Sequence, residues 1–177
     1  MKVPTGNYSK TKRGIVEQRS TANLVDAYRD SGRIQSCNVQ FRQLGRKKVF
    51  SGPIRTIKTF EDNVVVKRIL SEPGDGQILV IDGGGSLRTA LVGDVIAALA
   101  VTNGWAGIVI HGAVRDATAL MEMEIGIKAL GTNPWRSDRN GFGSVDVPLR
   151  FGEAAFQPGQ WVYSDEDGLL VATAKLE

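Results

Sequence analysis

The sequence is poor in the side chains that bind soft metals or form cross-links: its 177 residues contain one cysteine, Cys37, and one histidine, His111. Zinc fingers, disulfide frameworks and iron–sulfur centres each need several such ligands, so these classes are excluded. Any metal must rest mainly on oxygen ligands, which favours a hard divalent cation such as Mg2+ or Mn2+. Long apolar runs are also missing. The longest, Val95 to Val101, falls far short of the ~20 residues that span a bilayer, and no secretory signal pattern opens the chain. A cytoplasmic protein without membrane contact is the expectation.

Charge of one sign is confined to the N-terminus. The formal net charge is +3, but residues 1–20 hold Lys2, Lys10, Lys12, Arg13 and Arg19 against Glu17, leaving 17 basic and 18 acidic groups elsewhere. The body is close to neutral, and Trp105, Trp135 and Trp161 are not spaced as base-stacking aromatics, so direct nucleic-acid binding is not expected. Residues 1–20 read as a basic, solvated arm. Residues 21–177, within a chain that is 42% hydrophobic and 23% charged, suffice for a single domain with its own core.

Thr21 reads as the cap of a helix running through Asp30, closed by Ser31-Gly32. β-like runs follow at Asn38 to Leu44 and Val49 to Thr59, then a helix at Glu61 to Leu70. The centre is a strand from Gln77 to Ile81, a glycine-rich loop from Asp82 to Ser86, a helix from Asp94 to Asn103 and a strand from Ala106 to His111. Strand, helix and strand in this order imply a right-handed parallel crossover. A helix at Ala117 to Ile125 and a strand at Ile127 to Leu130 come next, followed by a stretch from Gly131 to Gly143 that reads as flexible. Strands at Val145 to Phe151, at Gln160 to Tyr163 and through Ala172 close the chain. The fold class is α/β with a parallel β-α-β centre and flanking β-hairpins, rather than an open Rossmann sheet.

In such a crossover, Asp94 at the start of the central helix and Arg115-Asp116 beyond the next strand share one rim of the sheet, where ligands bind in open α/β folds. Backbone N–H groups of Gly93 to Ile96 at the helix N-terminus can hold a carboxylate, Arg115 can grip an oxyanion, and Asp116 can hold a metal. Together these groups suit a 2-oxo acid that becomes an enolate. The same short patterns also arise as plain helix caps and surface ion pairs, and the residues alone leave both readings open.

Asp82-Gly83-Gly84-Gly85-Ser86 invites a nucleotide reading that it does not meet. Arg88 stands where the third glycine of a dinucleotide fingerprint belongs, and no Gly-Lys-Ser/Thr follows. A partial likeness to the acidic-glycine turn of methyltransferases has too little chain around it for that fold. The glycines read instead as a tight turn or close backbone approach beside the site. His111 reads as a packing residue and Cys37 as a small buried side chain.

Longer stretches carry a resemblance. Gly93-Asp94-Val95-Ile96 through Ile110-His111-Gly112-Ala113-Val114-Arg115-Asp116, with twenty residues between Asp94 and Arg115, resembles the Asp-x20-Arg-Asp motif of 4-hydroxy-4-methyl-2-oxoglutarate aldolases. Phe50-Ser51-Gly52-Pro53-Ile54, Phe60-Glu61-Asp62-Asn63, Val80 to Ser86 and Ile125 to Gly131 resemble the related regulator of ribonuclease activity A (RraA-like) proteins. The likeness runs from about residue 22 to the C-terminus.

It implies a swivelling β/β/α domain in a homotrimer, with sites near subunit boundaries. The implied reactions are metal-dependent cleavage of the aldol to two pyruvates and decarboxylation of oxaloacetate. By position, Gly93, Asp94, Val95 and Ile96 would contact the pyruvyl group, Arg115 would hold substrate and enolate oxygens, and Asp116 would bind the cation. Asp94 would orient water on the metal. Aldolases of this group can draw an acidic residue from a neighbouring subunit through a longer C-terminal region that this sequence does not match. The alternative implied by the same family is a non-catalytic inhibitor docking on endoribonuclease E. Members of that kind lack the acidic residue after the arginine, whereas this chain keeps Asp116.

Overall fold

The computed structural model describes residues 20–177. The basic arm expected over residues 1–20 therefore lies, apart from Ser20, outside the described residues. The elements in chain order are α1 (Thr21–Tyr28), a 3-10 turn (Arg29–Ser31), β1 (Ile34–Cys37), β2 (Arg42–Gln43), β3 (Phe50–Lys58), α2 (Val64–Leu70), β4 (Ile78–Asp82) and β5 (Ala90–Val92). They continue through α3 (Asp94–Thr102), β6 (Gly107–Val114), α4 (Ala117–Met121), β7 (Gly126–Thr132), β8 (Ser144–Val145), β9 (Leu149–Phe151), β10 (Ala154–Phe156), β11 (Trp161–Ser164) and β12 (Leu169–Ala172).

The described residues form one ten-stranded sheet in the order β1-β12-β11-β3-β4-β6-β7-β2, with β5 beside β6 and β8 beside β3, while β9 and β10 make a separate hairpin. The pairs β3–β4, β4–β6 and β6–β7 are parallel. Strand β3 joins the two halves: Phe50 to Pro53 pair antiparallel with β11, and Ile54 to Lys58 pair parallel with β4.

The central strands are apolar throughout because both of their faces are buried. Leu79, Ile81, Ile108 and Ile110 point to the helical side, where they pack with Val66 and Ile69 of α2 and Ala97 and Ala100 of α3. Ile78, Val80 and Val109, at the alternate positions, pack with Leu149, Phe151, Phe156 and Val162 on the opposite side. Helices, parallel sheet and a β layer thus form the three layers expected of a β/β/α domain. Each fully buried Ile, Leu or Val contributes ~1.5–3 kcal/mol, so the alternation fixes the strand register and with it whatever stands at the strand ends.

Several local expectations are corrected. Ser20, not Thr21, caps α1, its Oγ accepting from Asn23 N at 3.2 Å. Thr21 instead donates its N–H and hydroxyl to the Asp165 carboxylate at 2.6 and 2.7 Å. Lys128, 3% exposed, donates to the Asp165 carbonyl at 2.7 Å, tying the β11–β12 turn to the parallel sheet. The run from Asn38 to Leu44 is largely irregular, with β1 earlier and β2 only two residues long. Helix α2 starts at Val64 rather than Glu61 because Glu61 has φ +54, a left-handed value that no right-handed helix accommodates. The stretch from Gly131 to Gly143 is tethered: Asn140 and Gly141 donate to Asp62 Oδ2 at 2.6 and 2.9 Å, and Ala90 N donates to the Trp135 carbonyl at 2.8 Å.

Candidate active site

Asp94 and Arg115 come to one rim, each against the Asp116 carboxylate, because β5 and β6 end together. β5 takes over the place beside β6 that β4 leaves, with Val92 paired to Val114. Arg115 N then donates to the Val92 carbonyl at 3.0 Å. The residues that follow the two strand ends, Gly93-Asp94 and Arg115-Asp116, are thereby forced side by side. The sequence places Asp94 after the glycine-rich loop; β5 supplies the step between loop and helix that brings it to the rim.

Asp116 adopts a left-handed conformation, φ 56 and ψ 39, at the N-cap of α4, which an Asp tolerates better than most residues. Its side chain does not cap that helix. It turns toward α3 instead, where Oδ2 lies 3.3 Å from Asp94 N and 3.3 Å from Arg115 Nε. A carboxylate at the positive end of α3 and beside a guanidinium is doubly favoured. Val95 N donates to the Asp94 carboxylate at 2.7 Å. Two of the N–H groups that the sequence offers to a substrate carboxylate are thus engaged by the chain's own carboxylates in this structure. Arg115 and Asp116 keep 29% and 36% of their side-chain surface exposed, so both are open to a ligand. Val95 is exposed at the rim, and Ile96 is anchored in the core.

Gly93 to Ile96 and Arg115 border a cavity of about 580 Å3, within the ~300–1,000 Å3 usual for small-molecule sites, and Asp116 stands behind Arg115 at its edge. Its walls are the outer face of α2 with Lys67 and Arg68, the start of α3, Arg115, and the loop after β7 with Arg136 and Arg139. The sequence reading missed these four cations. Lys67 and Arg68 look like the solvent side of an amphipathic helix, and Arg136 and Arg139 sit in a stretch without periodicity; only the fold gathers them.

Among the described residues no three His, Cys, Asp or Glu side chains group as a metal cage. Asp116, with the carboxyl of Asp94, the residue whose N–H it accepts from, offers the sparse oxygen set of a Mg2+-type ion that takes most of its ligands from water and substrate. The donor chemistry fits that ion and no soft metal.

His111 and the glycine loop lie beside this rim. His111 Nδ1 is 3.2 Å from Asp82 Oδ1, and its ring stacks on Phe151 at 4.5 Å. The His111 contact holds the Asp82 carboxyl below its ordinary range, against burial and with help from the Gly84 N–H. A Cβ on Gly83 would lie 2.6 Å from Leu91 Cδ1, and Gly84 and Gly85 have φ of +66 and +71, so tight turning and close packing account for these glycines. Cys37 is buried, and burial pushes its thiol up, away from thiolate reactivity. Of the tryptophans, Trp105 is buried and Trp135 is 72% exposed.

Fold and rim together define a class, and comparison with known proteins names it. The RraA-like family model, described as Aldolase/RraA, matches residues 21–171, and the chain belongs to this family. A solved structure described as S-adenosylmethionine: 2-dimethylmenaquinone methyltransferase from Geobacillus kaustophilus HTA426 is 44% identical, covering 89% of this chain and 97% of that one, with a TM-score of 0.87. The RNA-processing inhibitor RraA from Thermus thermophilis is 43% identical, covering 90% and 95%, with a TM-score of 0.86. RraAS2 from Streptomyces coelicolor, an unusual member of the RNase ES inhibitor RraA protein family, is 25% identical over 91% and 87%, with a TM-score of 0.72. No helix among the described residues is long and apolar enough to cross a membrane.

Proposed function

We propose that the protein is a divalent-metal-dependent lyase that cleaves 4-hydroxy-4-methyl-2-oxoglutarate to two pyruvates and decarboxylates oxaloacetate through the same pyruvate enolate. The observation that carries it is the convergence of Asp116 Oδ2 with Arg115 Nε and Asp94 N, 3.3 Å from each, at the edge of a cavity that Asp94 and Arg115 line with further cations. Asp116 would hold Mg2+ or Mn2+, which would supply Lewis acidity to the 2-oxo group. Arg115 grips the C2 oxygen and stabilises it as the C3–C4 electron pair moves in to form the enolate. Asp94 orients water that accepts the C4 hydroxyl proton, so that the C4 carbonyl forms as the bond breaks; for oxaloacetate the C4 carboxylate leaves as CO2. Gly93, Val95 and Ile96 border the pyruvyl half. A proton returned to C3 of the enolate completes pyruvate.

The reading includes a cytoplasmic homotrimer. Exposed apolar side chains support association between copies: Val95 at the cavity and Trp135 and Phe142 in the adjoining loop are 64%, 72% and 71% exposed and are costly to leave in water. A second reading, a protein partner that inhibits an endoribonuclease, is supported by the 43% identity to an RNA-processing inhibitor. The glycine turn, closed by Leu91, Phe60 and His111, gives no support to S-adenosylmethionine binding. Pyruvate release from both 2-oxo acids, with Mg2+ or Mn2+ and with chelator, tests the proposal: metal-dependent turnover of either substrate supports it, and none above the metal's own background moves the assignment to the inhibitor.

A further inference from the structure

The loop between β7 and β8 is fixed at closely spaced points. Trp135 N donates to Asn133 Oδ1 at 2.8 Å, the buried Ser137 hydroxyl donates to the Ala90 carbonyl at 2.8 Å, and Asp138 N donates to the Glu61 carbonyl at 2.7 Å. Asp62, 1% exposed, then takes the N–H groups of Asn140 and Gly141 on one oxygen and that of Val64 on the other. These tethers bracket Arg136 and Arg139, and both arginines line the cavity.

Neither arginine belongs to any of the ion pairs among the described residues. Arg55, by contrast, is matched by Glu72 and Asp146, Arg88 by Glu61 and Arg115 by Asp116. Two guanidiniums left without a carboxylate on a backbone pinned this closely can receive an anion, with the ordering of their own side chains the main cost to be met on binding. The charge count of the cavity agrees: Lys67, Arg68, Arg115, Arg136 and Arg139 line it against the single carboxylate of Asp94. Arg68 and Arg115 already pair with Glu72 and Asp116, so with one substrate carboxylate at the α3 end the lining cations outside any ion pair among the described residues are Lys67, Arg136 and Arg139.

We propose that Arg136 and Arg139, positioned by Asp62, select substrates that carry a second carboxylate at the end remote from the reacting 2-oxo acid. The inference rests on the reading that Arg115 takes the 2-oxo acid end, and it makes these two arginines determinants of specificity. Asp62 acts through them as a positioning residue. Both substrates proposed above carry that second carboxylate; monocarboxylic aldols of the same length are discriminated against.

Binding of two unreactive probes tests this without turnover. L-Malate is L-lactate with one methyl hydrogen replaced by a carboxylate, so their affinities, measured by titration in Mg2+ buffer, isolate the second charge. Wild-type protein is expected to bind malate at least tenfold more tightly than lactate, and the Arg136→Gln/Arg139→Gln variant to lose most of that ratio. Both arginines are exposed, so the variant is expected to fold, which its melting temperature checks. Equal affinity for the two probes in wild type, or a malate preference that survives both substitutions, overturns the inference. A malate preference that depends on the arginines in a protein that releases no pyruvate would leave the receptor standing and remove the lyase assignment.

Discussion

A Cβ placed on Gly93 would lie 2.6 Å from Asp116 Oδ2 and 3.1 Å from Arg115 Nε. The backbone of Gly93, φ −126 and ψ −172, is one that any residue adopts, so the glycine is required for space alone. It lets the Asp116 carboxylate close on the N-terminus of α3. Gly93→Ala is therefore expected to displace Asp116 and Arg115 while leaving the helix intact. Misplacement of reacting groups by about 1 Å costs on the order of 100-fold in rate. Steady-state kinetics should show a drop of that order in kcat/KM, with a melting temperature close to that of wild type; unchanged kinetics would place Asp116 and Arg115 outside the chemistry.

Arg115 is expected to act on the enolate more than on the ground state. Arg115→Ala should lower kcat by about 100- to 1,000-fold, the usual loss for a donor to a developing oxyanion. Arg115→Lys should recover little, because an ammonium has no counterpart to the Nε that faces Asp116 and no planar fork. A raised KM with kcat intact would assign Arg115 to uniform substrate binding instead.

Asp62 couples stability to the site. Asp62→Ala leaves the N–H groups of Val64, Asn140 and Gly141 without their buried acceptor, a loss of roughly 0.5–1.5 kcal/mol for each hydrogen bond. A lower melting temperature is expected together with a KM for dicarboxylic substrate that rises more than kcat falls. Loss of stability with KM unchanged would separate the loop from substrate recognition.

Acid should unfold the protein through two carboxyls in particular. Burial pushes Asp62 and Asp165 up, but N–H and hydroxyl donors outweigh it: Val64, Asn140, Phe142 and Gly141 at Asp62, and Thr21, Asp167 and Gly168 at Asp165 hold both groups below the ordinary range. A carboxyl with a depressed folded-state pKa contributes stability that is fully present well above its unfolded value of about 3.9 and is lost as pH falls through the folded one. The melting temperature should therefore vary little from these groups between about pH 7 and 5 and fall below about pH 4. In the Asp62→Asn/Asp165→Asn variant the melting temperature is expected to be lower at neutral pH and its acid dependence shallower.

Much of this was legible in the chain. Continuous apolar runs such as Ile78 to Ile81 announce strands buried on both faces, and the Gly-Asp start of α3 with Arg-Asp after β6 marks the rim where the fold places them. The three-residue β5 was not legible, because Ala90–Val92 becomes a strand only by pairing with the end of β6. The cap of α1 falls on Ser20 rather than Thr21 because Asp165, 144 residues from Thr21, takes the Thr21 N–H and hydroxyl, a contact no local pattern shows. Arg136 and Arg139 escaped notice because the tethers that turn their loop into a wall of the cavity come from Asp62 and Ala90, remote in sequence. Local pattern reads elements; it does not read what distant hydrogen bonds hold still.

The central claim is that Asp116 anchors metal-dependent cleavage, and the most direct measurement is pyruvate release by wild type and Asp116→Asn side by side across a Mg2+ titration. Asparagine keeps the shape and the hydrogen-bonding oxygen but removes the charge. The account predicts turnover of oxaloacetate and of 4-hydroxy-4-methyl-2-oxoglutarate by wild type that saturates with Mg2+, and none above the metal's own background in the variant at equal stability. Turnover and Mg2+ dependence that survive in Asp116→Asn would contradict it.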